Sequence, residues 1–226
     1  MLRNQLIATA QIPGMDGKLE LHQRGERFSI WVTGHRNLEL MNNSAHGSEE
    51  ALAELTCTKV VRRKDPKVLV GGMGMGYTLA AALKHLGDNA KVVLAELIPE
   101  VVEWNRTYLG DFAGHPLEDK RVEVKIGDVG RLLRAAESEY DVIMLDVDNG
   151  PQGLTTDNNN WLYSVQGLKV AKHALKDKGI FAVWSVSDEP KFTDRLGKVG
   201  FKVTREKVRT HGHKGSHHVI WVAEKK

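Results

Sequence analysis

The chain has 226 residues, enough for one large α/β domain with a substantial core, and its 41% hydrophobic and 27% charged residues are ordinary for a folded protein. Its 32 Lys and Arg against 29 Asp and Glu leave a net charge of only +3, too small and too dispersed to argue for a nucleic-acid partner. A lone cysteine, Cys57, excludes an internal disulfide, no apolar run reaches membrane-spanning length, and the opening Met-Leu-Arg-Asn-Gln lacks a signal peptide's apolar core, so a cytoplasmic protein with no membrane partner is expected.

Residues 1–47 read as a small β-hairpin region, distinct from the domain expected over 48–226. Lys18 to Gln23 and Arg27 to Val32 alternate in polarity and are split by Arg24-Gly25-Glu26, a hairpin pattern, with a third short strand expected over 37–41. Ser48 then looks like an N-cap, because Glu49 and Glu50 fall in a first helical turn ahead of Ala51, Leu52 and Leu55. From Pro66 onward, strands expected at 67–71, 91–96, 121–126, 140–146 and 179–185 alternate with helical stretches, which predicts a mostly parallel sheet covered on both faces. The last two of its seven strands, 201–208 and 217–224, have only the turn His211 to Ser216 between them and should form an antiparallel hairpin.

The chemistry concentrates where strands end. Val68-Leu69-Val70 breaks into Gly72, Gly74 and Gly76, residues that let the backbone turn sharply and approach a ligand closely. A dinucleotide fingerprint would place a third glycine at position 77, which is Tyr77, so a redox enzyme is disfavoured. Glu96 closes the next strand about twenty residues on, where a carboxylate can accept both hydroxyls of a ribose. Asp128 follows the third strand at the same rim and either receives an exocyclic amine or caps the helix after it. Asp146 and Asp148 follow the fourth, where a rigid carboxylate can orient a nucleophile and take its proton, although Asp148, Asn149 and Gly150 also fit a plain turn. Downstream, Trp161 and Tyr163 either cover a substrate from a lid or anchor the core. Glu50 is a candidate amine contact, whereas Glu54 suits a solvated helix face. His211, His213, His217 and His218 have no cysteine or acid at ligand spacing, and no metal is expected.

Four segments in order resemble the spermidine synthase family: Pro66 to Gly72, Ala95-Glu96-Leu97-Ile98-Pro99-Glu100-Val101-Val102, Val122 to Asp128, and Tyr140 to Asp146. The resemblance implies a Rossmann-like class I methyltransferase fold, with a mostly parallel seven-stranded sheet, an antiparallel C-terminal strand, and a dimer formed through the N-terminal β region. It also implies that Glu96 holds a ribose, Asp128 an adenine amino group and Asp146 the attacking amine. The sequence departs from the family at the glycine loop, where Gly74 stands in place of an aspartate that pairs with the donor's ammonium. It departs again at Asn149 and Gly150, in place of an aspartate followed by proline, and at Ser48-Glu49-Glu50, in place of tyrosine-histidine-glutamate. A loop without its acid suits S-adenosylmethionine, so methyl transfer to a small amine acceptor is expected, with Glu50, Asn149, Trp161 and Tyr163 near the acceptor. The alternatives are aminopropyl transfer from decarboxylated S-adenosylmethionine and a non-catalytic binder of nucleosides or polyamines.

Overall fold

The computed structural model describes residues 3–34, 37–147, 161–211 and 214–226. Asp148, Asn149 and the rest of the stretch leading to Trp161 therefore lie outside the described residues, as does His213. Two sheets make up the framework. The first is an antiparallel meander of β1 (Gln5–Gln11), β2 (Lys18–Arg24), β3 (Arg27–Thr33) and β4 (Leu38–Asn42). β1 was not expected from the sequence; its register shifts between Leu6 and Ala8, which breaks the alternation that marks a strand.

Helix α1 (Gly47–Cys57) begins two residues earlier than expected, with His46 at the N-cap position and no side-chain cap. Ser48, read as the cap, lies fully buried inside the first turn, where its hydroxyl meets Glu49 and His218. The second sheet runs in the order β10-β11-β9-β8-β5-β6-β7. Its strands are β5 (Lys67–Gly71), β6 (Lys91–Glu96), β7 (Val122–Ile126), β8 (Tyr140–Leu145), β9 (Leu175–Ser185), β10 (Phe201–His211) and β11 (Lys214–Lys225). From β9 to β7 neighbours are parallel, and β11 pairs antiparallel with both β9 and β10.

The near-continuous apolar runs of β5 and β8 follow from burial on both faces. Val68, Val70, Val142 and Met144 face one core, shared with α1, with α2 (Tyr77–His85) and with Leu21 and Ile30 of the small sheet. Leu69, Ile143, Leu145 and Phe181 face the other. There they meet α5 (Val129–Ala135), α6 (Val165–Ala174) and α7 (Pro190–Val199), while α3 (Pro99–Trp104) and α4 (Gly110–Ala113) follow β6. Each fully buried Leu or Ile stabilises the fold by about 2 kcal/mol. The chain moves outward from β5 to β6 and β7, then returns to lay β8 on β5's other side. That reversal leaves a crevice at the carboxyl ends of β5 and β8, where open α/β sheets bind ligands.

Candidate active site

A cavity of about 520 Å³ opens at this crevice, lined by the glycine loop, the ends of β6, β7 and β8, the start of α1 and residues from β4. Gly72, Gly74 and Gly76 all have positive φ, of 90°, 50° and 86°. Gly72 is the most constrained. Its N–H donates to the Ala95 carbonyl at 2.8 Å, and a Cβ there would lie 2.4 Å from the Asp146 backbone oxygen. Gly74 faces Met41 instead, whose Sδ would stand 3.0 Å from a Cβ.

Glu96 is 8% exposed, and its carboxylate accepts from the Met73 N–H at 2.8 Å through Oε2 and from the Ile98 N–H at 2.9 Å through Oε1. It thus ties the glycine loop to the start of α3. Burial pushes its carboxyl up from the ordinary range, and these N–H groups oppose the rise. Each oxygen keeps a lone pair, and the residue lines the cavity, so a ribose hydroxyl can still be received there. Asp128 caps α5, accepting from the Gly130 N–H at 2.8 Å through Oδ1. Its Oδ2 has no hydrogen-bond partner among the described residues, so capping and facing the cavity coexist.

Asp146 emerges from β8 into the cavity and accepts a 2.6 Å hydrogen bond from the Thr78 hydroxyl. Burial raises its carboxyl to about 6. Glu49 lines the same cavity, and burial, followed by the charge of Asp146, raises it to about 7 against the opposing hydrogen bond from Ser48. The Ser48 hydroxyl bridges the Glu49 carboxylate, at 2.5 Å, and His218 Nδ1, at 2.9 Å. His218 stands edge-on to Trp184 with centroids 4.5 Å apart, and burial lowers its basicity. Among the described lining residues there are five carboxyl groups, on Glu39, Glu49, Glu96, Asp128 and Asp146, and no Lys or Arg.

The structure thus brings together the glycine loop, Glu96, Asp128 and Asp146. Glu50 lies elsewhere: it is exposed and pairs with His46 at 3.0 Å. Trp161 is half-buried under the Arg134 guanidinium, 3.7 Å from its ring centroid, beside α5. Tyr163 is buried, donates to the Val147 carbonyl at 3.2 Å and meets Phe192 edge-on. Thr78 and His218 are the site residues that sequence reasoning left out, whereas Glu49, which the sequence offers with Glu50 and Glu54 as acids for an amine pocket, is the one of the three that lines the cavity. For Glu49 a signal existed: it precedes buried Leu52 and Ala53 by three and four positions, which puts it on the inward face of α1. Among the described residues, no group of three or more His, Cys, Asp or Glu is arranged to hold a metal, and no helix is long and apolar enough to cross a membrane.

The chain is 37% identical over 139 residues to a polyamine aminopropyltransferase of Bacillus mycoides (strain KBAB4), covering 62% of this chain and 47% of that protein. It is 33% identical over 129 residues to that of Bacillus subtilis (strain 168), covering 57% and 44%. The chain therefore spans about half the length of the curated relatives it matches. Among solved structures, a spermidine synthase in complex with the transition state analogue AdoDATO superposes with a TM-score of 0.74 at 21% identity, over 98% of this chain and 72% of that one. Spermidine synthase from Thermotoga maritima gives 0.72 at 19% identity with the same coverage. These two likenesses are of fold, and they include the small antiparallel sheet as well as the seven-stranded one. The spermine/spermidine synthase domain matches residues 46–197, the stretch that carries α1, the glycine loop, Glu96, Asp128 and Asp146, and the chain belongs to that family.

Proposed function

We propose that this protein transfers an aminopropyl group from decarboxylated S-adenosylmethionine to a small amine acceptor. One observation carries the choice of donor: the cavity walls hold five carboxyl groups and no Lys or Arg among the described residues. S-adenosylmethionine would bring a carboxylate into that field with no cation to meet it, and the Met73 N–H in the loop is already spent on Glu96. The decarboxylated donor brings only positive charge, on its sulfonium and its ammonium. The names of the relatives agree with this reading.

The residues divide the work by position. Glu96 and the Oδ2 of Asp128 receive the ribose and the adenine amino group, and Gly72 lets the backbone pass without a side chain in the way. A sulfonium supplies a carbon activated for displacement. Asp146, held by Thr78, orients the acceptor amine and takes one proton from its ammonium form. The freed lone pair forms the new C–N bond as the C–S bond breaks, and the departing electron pair neutralises sulfur in methylthioadenosine.

A second reading, methyl transfer from S-adenosylmethionine, is favoured by Gly74, where the family's loop acid is absent. Calorimetry with both donors and methylthioadenosine decides between them. Tighter binding of the decarboxylated donor by at least about tenfold, roughly 1.4 kcal/mol, is expected; a preference for S-adenosylmethionine reverses the assignment. Asp146→Asn should abolish turnover while methylthioadenosine still binds, and an unchanged biological readout in that variant would favour a non-catalytic binder.

A further inference from the structure

The proposed reaction releases one proton per turnover, and fully buried Ser48 joins two groups that line the cavity, Glu49 and His218. We infer that Glu49, Ser48 and His218 form the path by which that proton leaves the Asp146 side of the cavity for solvent. This rests on the transferase reading above, since a binder would have no proton to export.

The geometry is that of a relay with two settings. With Glu49 ionised, Ser48 Oγ–H donates to its Oε2 at 2.5 Å, and Ser48 Oγ accepts from His218 Nδ1–H at 2.9 Å. With Glu49 protonated, every bond reverses: the carboxylic acid donates to Ser48 Oγ, and Ser48 donates to an unprotonated Nδ1. A proton arriving on Glu49 therefore moves as an O–H bond forms at Ser48 while the serine's own proton passes to His218. The resulting imidazolium sheds its Nε2 proton to water and Glu49 is again a carboxylate; exchange of the Nδ1 proton for one on Nε2 through water, with no net change in protons, readies the ring for the next turnover. Ser48 is fully buried, whereas His218 is only half-buried and lines the cavity, so the chain ends on a ring that solvent can reach.

The surrounding charges favour the same direction. Glu49 is faced by Asp146 from the end of β8, by Tyr77 from α2, and by Glu50 on its own helix, whose carboxylate pairs with His46. No Lys or Arg among the described lining residues would hold a carboxylate permanently ionised and so block the relay. His218 is faced by Trp184 from β9 and by Ser48, neither of which fixes its charge.

The test combines kinetics with a measurement that needs no turnover. Ser48→Ala and His218→Ala should each lower kcat by about tenfold or more with KM unchanged, displace the acidic limb of the pH profile and enlarge the solvent deuterium effect. Free imidazole should restore His218→Ala, and His217→Gln, altered at an exposed neighbouring position, should behave as wild type. In NMR titrations of the ligand-free protein, Glu49 and His218 should each show the inflection of the other, and Ser48→Ala should separate them. Independent titrations in the wild type, or wild-type pH profiles in both alanine variants, overturn the relay. A loss of kcat that imidazole leaves unrestored, with KM raised, also overturns it by showing that the residues only hold the site together. Absence of turnover with any adenosyl sulfonium in the wild type would instead overturn the transferase reading, while the NMR result still judges the hydrogen-bonded chain.

Discussion

Replacing Glu49 by Gln should stabilise the protein, by an amount that grows as pH rises from about 4.5 to 7 and is constant above. The carboxyl rises from 4.5 in an unfolded chain to about 7 in the folded one, chiefly because it is buried and next because Asp146 adds its charge. Between those two values the native state holds a proton that the unfolded state has lost, so stability falls as pH rises through that window. At about 1.4 kcal/mol per unit, the full cost above pH 7 is of order 3 kcal/mol, and none of it is present below pH 4.5. A glutamine keeps an oxygen to accept from Ser48 and carries no charge to bury. Urea unfolding followed by tryptophan fluorescence should thus find the variant about 2–3 kcal/mol more stable at pH 8, or some 5–10 °C higher in Tm, and nearly equal to wild type at pH 4.5. Equal stability at pH 8, or the same gain at both values, would show that Glu49 is not held against its charge, and the account of the cavity as a cation trap would fall with it.

Two further outcomes test the glycine loop. Gly72→Ala places a Cβ 2.4 Å from the Asp146 backbone oxygen at a φ of 90°, so it should cost more than about 2 kcal/mol in urea and weaken methylthioadenosine binding. Gly114→Ala, at a φ of 70° with nothing within 4 Å, should cost only the backbone strain, about 1 kcal/mol, and an equal loss in both would assign the effect to φ alone. The double change Gly74→Asp with Met41→Ala removes the Sδ that crowds a Cβ at position 74 and restores a loop acid. Calorimetry should show its preference for the decarboxylated donor rising about tenfold over wild type; no change would mean that Glu49 and Asp146 already saturate the demand for negative charge.

Much of this molecule is written in local sequence. The apolar runs of β5 and β8, each ending in glycine or aspartate, announce buried parallel strands, because only strands covered on both faces tolerate such continuity. Since parallel strands all end at one rim, Glu96, Asp128 and Asp146 were legible as neighbours without coordinates. Local pattern failed where the decision depended on segments far apart in the chain. Ser48 has the chemistry of a cap, but β11 brings His218 against it and turns it inward. Glu49 and Glu50 are adjacent identical residues, and only the packing of α1 sends one to the cavity and the other to solvent. Likewise, Gly74 reads as a missing acid until β4 lays Met41 against it. Periodicity and residue type fix which elements form and where their ends lie, whereas the charge a carboxyl carries depends on what the tertiary fold places within a few ångströms of it.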